Sequence, residues 1–185
     1  MAHALSLNAA RYDEDVSKNL RRNNKFEIWS VDTDKGYIET SLNRVPKDII
    51  GHMKTICTKV RMGTFQDRIC TYYDELPNIC PDFIYLDGPD QFAGIESDVR
   101  GVSTRHPDRM PMAADILLIE FFLLPGTIIL VDGRTANARF LLHNLQRKWV
   151  YKHYPELDIS IFYLDEEALG VYSARHLEFR YSEIG

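Results

Sequence analysis

With 185 residues, 45% hydrophobic and 26% charged side chains, the chain is long enough for one full hydrophobic core and too apolar to be a disordered segment. Its formal net charge of −5 has the wrong sign for a non-specific nucleic-acid binder, whose electrostatic footprint is basic. Three scattered cysteines, Cys57, Cys70 and Cys80, form no CxxC pair, which argues against zinc and thioredoxin-type motifs and for reduced thiols in the cytoplasm.

Residues 2–22 read as a helix, with Leu5, Ala9, Val16 and Leu20 as apolar points and Arg21-Arg22 near the carboxyl end. The start has neither the basic flank nor the long apolar run of a signal peptide. Residues 26–31, FEIWSV, read as a strand ending at Asp32-Thr33-Asp34. Residues 37–50 are mixed, with helix expected around Pro46, which suits a first turn. Residues 55–60 and 68–73 are each legible as a strand, without a ranking between them.

Residues 82–87, DFIYLD, flanked by Pro81 and Gly88-Pro89, read as a buried parallel strand. Residues 91–110 are polar, with Gly94, Gly101 and Pro107, and form a long loop of the kind that carries function. A helix is expected over 112–124, stopped by Pro125-Gly126, then a buried strand over 127–131 ending at Asp132-Gly133. Glu120 and Pro125-Gly126 interrupt this apolar stretch, so it is not read as a membrane span. Thr135 is read as the cap of a helix running to Tyr154, and strands are expected over 159–164 and 176–181 with a turn at Leu169-Gly170. Alternation of this kind predicts an α/β domain with a mostly parallel sheet, helices on both faces and an antiparallel hairpin at one edge.

Four stretches in that order resemble class I S-adenosylmethionine-dependent methyltransferases of the small-molecule O-methyltransferase type. Val31-Asp32 resembles the acidic end of the second strand, whose carboxylate holds the cofactor ribose. DFIYLDG, residues 82–88, resembles the fourth strand, and LPGTIILVDG, residues 124–133, resembles the turn and fifth strand. The closing hairpin fits the sixth and seventh strands, and the DxIYLDGPDQ and DGRTANARF segments are similar to those of methyltransferase-like proteins. The resemblance implies a Rossmann-like three-layer sandwich forming a single domain over 1–185 that is incomplete at its amino terminus. No GxGxG occurs, and Met1 falls where the family's first helix is already running, so the first strand and its glycine-rich loop are missing. S-adenosylmethionine is therefore expected to bind weakly or not at all to this chain. Open edges on strands 26–31 and 83–86 are expected to drive a symmetric homodimer.

For the site, the resemblance implies Asp32 as the ribose ligand and Asp87 at the methyl acceptor. Asp87 and Asp132, at the ends of neighbouring strands, are candidate Mg²⁺ ligands, with Asp90 or Asn137 completing the set. The family's second acid or asparagine after the fifth strand is replaced here by Asp132-Gly133-Arg134. The plain alternative is that these carboxylates pair with Arg134 or Arg139 and order the loops. His106, in a loop with Arg105, Asp108 and Arg109, has the chemistry to take a proton from a hydroxyl near neutral pH; the alternative is an exposed loop histidine. Tyr85, Phe121, Phe122, Phe140, Trp29 and Trp149 are assigned to the core, and Arg147, Lys148 and Lys152 to a solvated helix face. Two functions follow from the resemblance. One is methyl transfer to an oxygen of a small molecule by the full-length form; the other is a catalytically inactive fold acting as a binding or assembly module.

Overall fold

The computed structural model describes residues 1–10, 20, 22–23, 25–92 and 97–181. The expected helix over 2–22 is described as α1 over Ala2–Ala10, with Leu20 helical again; residues 11–19 and 21 lie outside the described residues. Strand β1 spans Ile28–Asp32, and Asp34 then caps α2, Lys35–Arg44, by accepting the amides of Gly36 and Tyr37. Pro46 lies beyond that helix and opens a turn leading to β2, Met53–Cys57. A hairpin of β3, Val60–Phe65, and β4, Arg68–Tyr73, follows; its first strand was not foreseen. Then come β5, Phe83–Leu86, and α3, Asp115–Ile119. The chain closes with β6, Ile128–Asp132, α4, Thr135–Leu142, β7, Trp149–Tyr154, β8, Ile159–Leu164, and α5, Val171–Tyr181.

The expected Rossmann-like three-layer sandwich does not form. Among the described residues the strands make three sheets instead of one: β1 with β2 in parallel, β3 with β4 antiparallel, and a mixed sheet in the order β5-β6-β8-β7. In the mixed sheet only β5 and β6 run parallel, while β8 is antiparallel to both β6 and β7. Burial gives the physical reason. Along β6 and β8 every second residue is fully buried, so one face of the sheet is sealed and the other is partly exposed. The sealed face, with Ile129, Val131, Phe162 and Leu164, packs on Ala138 and Leu141 of α4, on Ile116 and Leu117 of α3, and on Cys70 and Tyr72 of β4.

Four further expectations are corrected. The helix over 112–124 shrinks to α3 and a 3₁₀ turn, because Met112 and Ala114 exchange backbone hydrogen bonds with Thr71 and the Asn137 amide grips both backbone groups of Ala113. The helix beginning at Thr135 ends at Leu142, where the Asn144 side chain donates to the Phe140 carbonyl; residues 149–154 alternate in exposure and form a strand. Thr135 itself reaches Asp158 and supplies no cap bond. Residues 176–181 are helical, so the closing hairpin is β7–β8.

The 3₁₀ turn after α3 explains several misplaced side chains. Buried Glu120 accepts from the amides of Gln146 and Arg147 and from Trp149 Nε1, at 2.8, 2.8 and 2.9 Å. Arg147, expected on a solvated face, instead pairs with Glu166 and donates to the carbonyls of Glu120 and Leu123. The same turn leaves Phe121 and Phe122 69% and 78% exposed, and Tyr85 is also exposed, so these three are not core residues. The cysteines are free thiols. Among the described residues no helix is long and apolar enough to cross a membrane.

Candidate functional site

The expected site acids sit where strands end. Asp32 closes β1, Asp132 closes β6, and Asp87 follows β5 by one residue. The β5–β6 register sets Leu86 beside Val131, so Asp87 and Asp132 are next in line and side chains of equal parity share a face. Tyr85 lies on that face, and its hydroxyl donates a short hydrogen bond to Asp132 Oδ2. This bond, together with burial and the charges of Asp132 and Asp87, pushes the Tyr85 phenol up to about 12.

A second tyrosine ties the rim together. Tyr73, the last residue of β4, has its phenol pushed well above the ordinary range by burial and by the charges of Asp32, Asp115 and Asp87, with Arg134 opposing. One hydroxyl thus senses the acids at the ends of β1 and β5 and at the start of α3. Its oxygen lies 3.1 Å from where a Cβ on Gly88 would stand, so the residue after Asp87 is tight for any side chain. Asp115 Oδ1 accepts the Tyr73 amide at 3.0 Å, and burial pushes the Asp115 carboxyl up to about 6 despite that bond.

Each expected site residue has a definite environment. Asp32 Oδ1 accepts the Asp34 amide at 2.9 Å, while Oδ2 has no hydrogen bond among the described residues. Arg134 donates from Nε to the Asp87 carbonyl at 3.0 Å and stands 4.0 Å from its carboxylate. The plain alternative of an Asp87–Arg134 pair is therefore present. His106 is exposed in a surface turn. Its Nδ1 accepts the Asp108 amide at 3.2 Å, and Gln91 donates to its carbonyl at 3.2 Å. Among the described residues it makes no hydrogen bond or ion pair to Asp87 or Asp132, so the structure does not bring the histidine to the acids.

The donor set does not fit a divalent cation. Asp132 is taken by Tyr85, Asp87 faces a guanidinium, Asn137 is spent on Ala113, and Asp90 Oδ1 accepts the Phe92 amide. Among the described residues no group of three or more His, Cys, Asp and Glu side chains is placed to hold a metal.

Tyr85, Tyr73 and Asp115 were not foreseen at the site. Tyr85 carried a usable signal, since it precedes Asp87 by two and shares its strand face. Tyr73 and Asp115 meet across 42 residues of chain and leave no local trace. No family model, curated protein or solved structure matches the chain.

Proposed function

We propose that the chain is a methyltransferase-like protein whose acidic rim holds S-adenosylmethionine through Asp32 and serves transfer of a methyl group to an oxygen of a small molecule. The observation that carries the reading is the placing of Asp32, Asp87 and Asp132 at the carboxyl ends of strands, with the Tyr73 hydroxyl standing against Gly88 beside Asp87. Acids outnumber Arg134 at this rim, which suits a ligand that is cationic at sulfur and rich in hydroxyl donors. Asp32 Oδ2 is open to accept a ribose hydroxyl. When bound, the cofactor supplies an electrophilic methyl group. Its carbon–sulfur bond would break as the acceptor oxygen bonds to carbon, with S-adenosylhomocysteine leaving, and Asp87, exposed and steadied by Arg134, would hold the proton given up by the acceptor hydroxyl. Tyr85 fixes the Asp132 carboxylate, which orients the acceptor.

Calorimetric titration with S-adenosylhomocysteine is the test. Weak binding that disappears in Asp32→Ala is the expected result, since the chain carries no GxGxG loop; binding that survives Asp32→Ala sinks the ribose role, and absence of binding leaves the catalytically inactive module.

The internal pairing of Asp87 with Arg134 and of Asp132 with Tyr85 favours a second reading, a catalytically inactive binding or assembly module. Under either reading we place the protein in the cytoplasm, which suits its free thiols, and assign it a homodimer. β1 and β5 each pair on one side only among the described residues, and such edges recruit a second copy. Light scattering after gel filtration decides this, a monomer at micromolar concentration being the contrary result.

A further inference from the structure

The opposite ends of β5 and β6 carry a different cluster. Asp82 precedes β5, Gly126 lies two residues before β6, and α5 crosses both. Arg22 donates from Nη2 to the Cys80 carbonyl at 2.8 Å and to Asp82 Oδ1 at 2.9 Å. Arg180 donates to the carbonyls of Gly126 and Asp82 at 3.0 and 3.4 Å. Beside them opens a cleft of about 220 Å³, where Leu20, Leu124 and Leu169 supply apolar lining and Arg22, Ser173 and His176 supply polar atoms.

His176 is the unexplained group. It is only 7% exposed, yet neither ring nitrogen makes a hydrogen bond among the described residues. Asp82 Oδ1 stands 3.7 Å from Nε2, too far for one. The ring lines the cleft and is not sealed from it, so the imidazole can offer an N–H to a molecule lodged there. Burial pushes the imidazole down; Asp82 opposes this, and Arg22 and Arg180 add to it. The local balance is thus two guanidinium groups against one carboxylate. Arg22 also keeps Nε and Nη1 without a hydrogen bond among the described residues. A donor-rich, positively biased end beside leucines calls for an anionic head on an apolar body. The volume lies below the roughly 300–1,000 Å³ of drug-sized sites, so that body is small.

We propose that this cleft binds a small carboxylate carrying an aryl or short acyl group, its oxygens taking N–H groups of Arg22 and His176 and its hydrocarbon covering Leu20, Leu124 and Leu169. The site is separate from the acidic rim and does not depend on methyl transfer.

The test is an NMR titration of the histidine ring signals with benzoate and hexanoate, the His176 signal being assigned by its loss in His176→Gln. Benzoate is expected to bind and to raise the titration midpoint of His176 by about one unit, because an anion favours the imidazolium. Benzamide, of the same shape without the charge, should leave the midpoint in place. Arg22→Gln should weaken benzoate about tenfold. Ser173→Phe, which fills the cleft while keeping Arg22 and His176, should abolish binding. A His176 signal that neither acid moves at millimolar concentration overturns the proposal, as does benzoate binding that survives Ser173→Phe. Inorganic phosphate acting as strongly as benzoate overturns the apolar body. Should Arg22→Gln fail to fold, the contrast of benzoate with benzamide on the parent chain still decides.

Discussion

The two ends of the β5–β6 pair are built from the same kinds of side chain and carry opposite polarity. At the carboxyl ends Asp32, Asp87 and Asp115 act on the Tyr73 phenol and Asp132 on that of Tyr85, with Arg134 beside Asp87, and two phenols and a buried carboxyl are all pushed upward. At the amino ends Asp82 faces Arg22 and Arg180, and a buried imidazole is pushed downward. Burial acts on every one of these groups by disfavouring its charged form, so burial alone does not distinguish the ends. The surrounding charges do: acids reinforce the effect of burial on the phenols, and guanidinium groups reinforce it on the imidazole. One end therefore favours cations and hydroxyl donors, the other anions.

The largest expected effect probes the acidic end through pH. The folded chain raises Asp115 from 3.8 to about 6. Between those values the native state holds a proton that the unfolded chain releases, so stability falls as pH rises through this window. The contribution is fully present below the lower value and lost above the upper one, and amounts to about 3 kcal/mol at most. Denaturant unfolding at acidic and neutral pH should show this slope, and Asp115→Asn should flatten it; an unchanged slope in that variant removes the buried acid from the comparison.

Next in size is a backbone break at the amino end. Gly126 has φ +82, and an added Cβ would stand 2.4 Å from Leu177 Cδ2 on α5. Gly126→Ala combines a left-handed backbone with a clash and should cost about 2 kcal/mol in thermal unfolding. A loss of a few tenths would mean that α5 yields freely.

Removing the lone acid sharpens the contrast further. Asp82→Asn leaves Arg22 and His176 without a carboxylate, should cost about 1 kcal/mol, and should lower the His176 titration midpoint. An unmoved midpoint would show that Asp82 does not set the local field.

The smallest expected effect is none. The acids at the carboxyl end have partners of their own, so millimolar Mg²⁺ should leave the melting temperature unchanged. A rise that Asp132→Ala abolishes would restore a shared ion between Asp87 and Asp132.

The acidic end was partly legible in the sequence, because each of its outer acids closes a short apolar run. Asp32, Asp87 and Asp132 needed only strand boundaries to be found. The amino end was hidden by a period error. HLEFRY, residues 176–181, alternates polar and apolar and so reads as a strand, yet Ser173, His176, Leu177 and Arg180 fall at helical spacing. The reverse happened over 149–154: nothing breaks a helix before Pro155, and the alternation in WVYKHY was the overlooked signal. The single-sheet expectation failed for a different reason. Strand segments fix alternation and length, but sheet membership depends on contacts made far along the chain, such as Thr71 with Ala113.

Helix α5 is attached to the sheet mainly by its polar tips. Its one buried side chain is His176, whereas α4 buries Asn137, Ala138 and Leu141. Arg180 and Tyr181 tether it to the carbonyl of Gly126. Partial opening of a native protein follows its weakest seams. Amide hydrogens of α5 should therefore exchange with solvent through detachment of the helix alone, well before those of β6 and β8, which open only with the core. A molecule lodged in the cleft beneath α5 would slow that early exchange while leaving the late exchange untouched, acting on the helix as a latch.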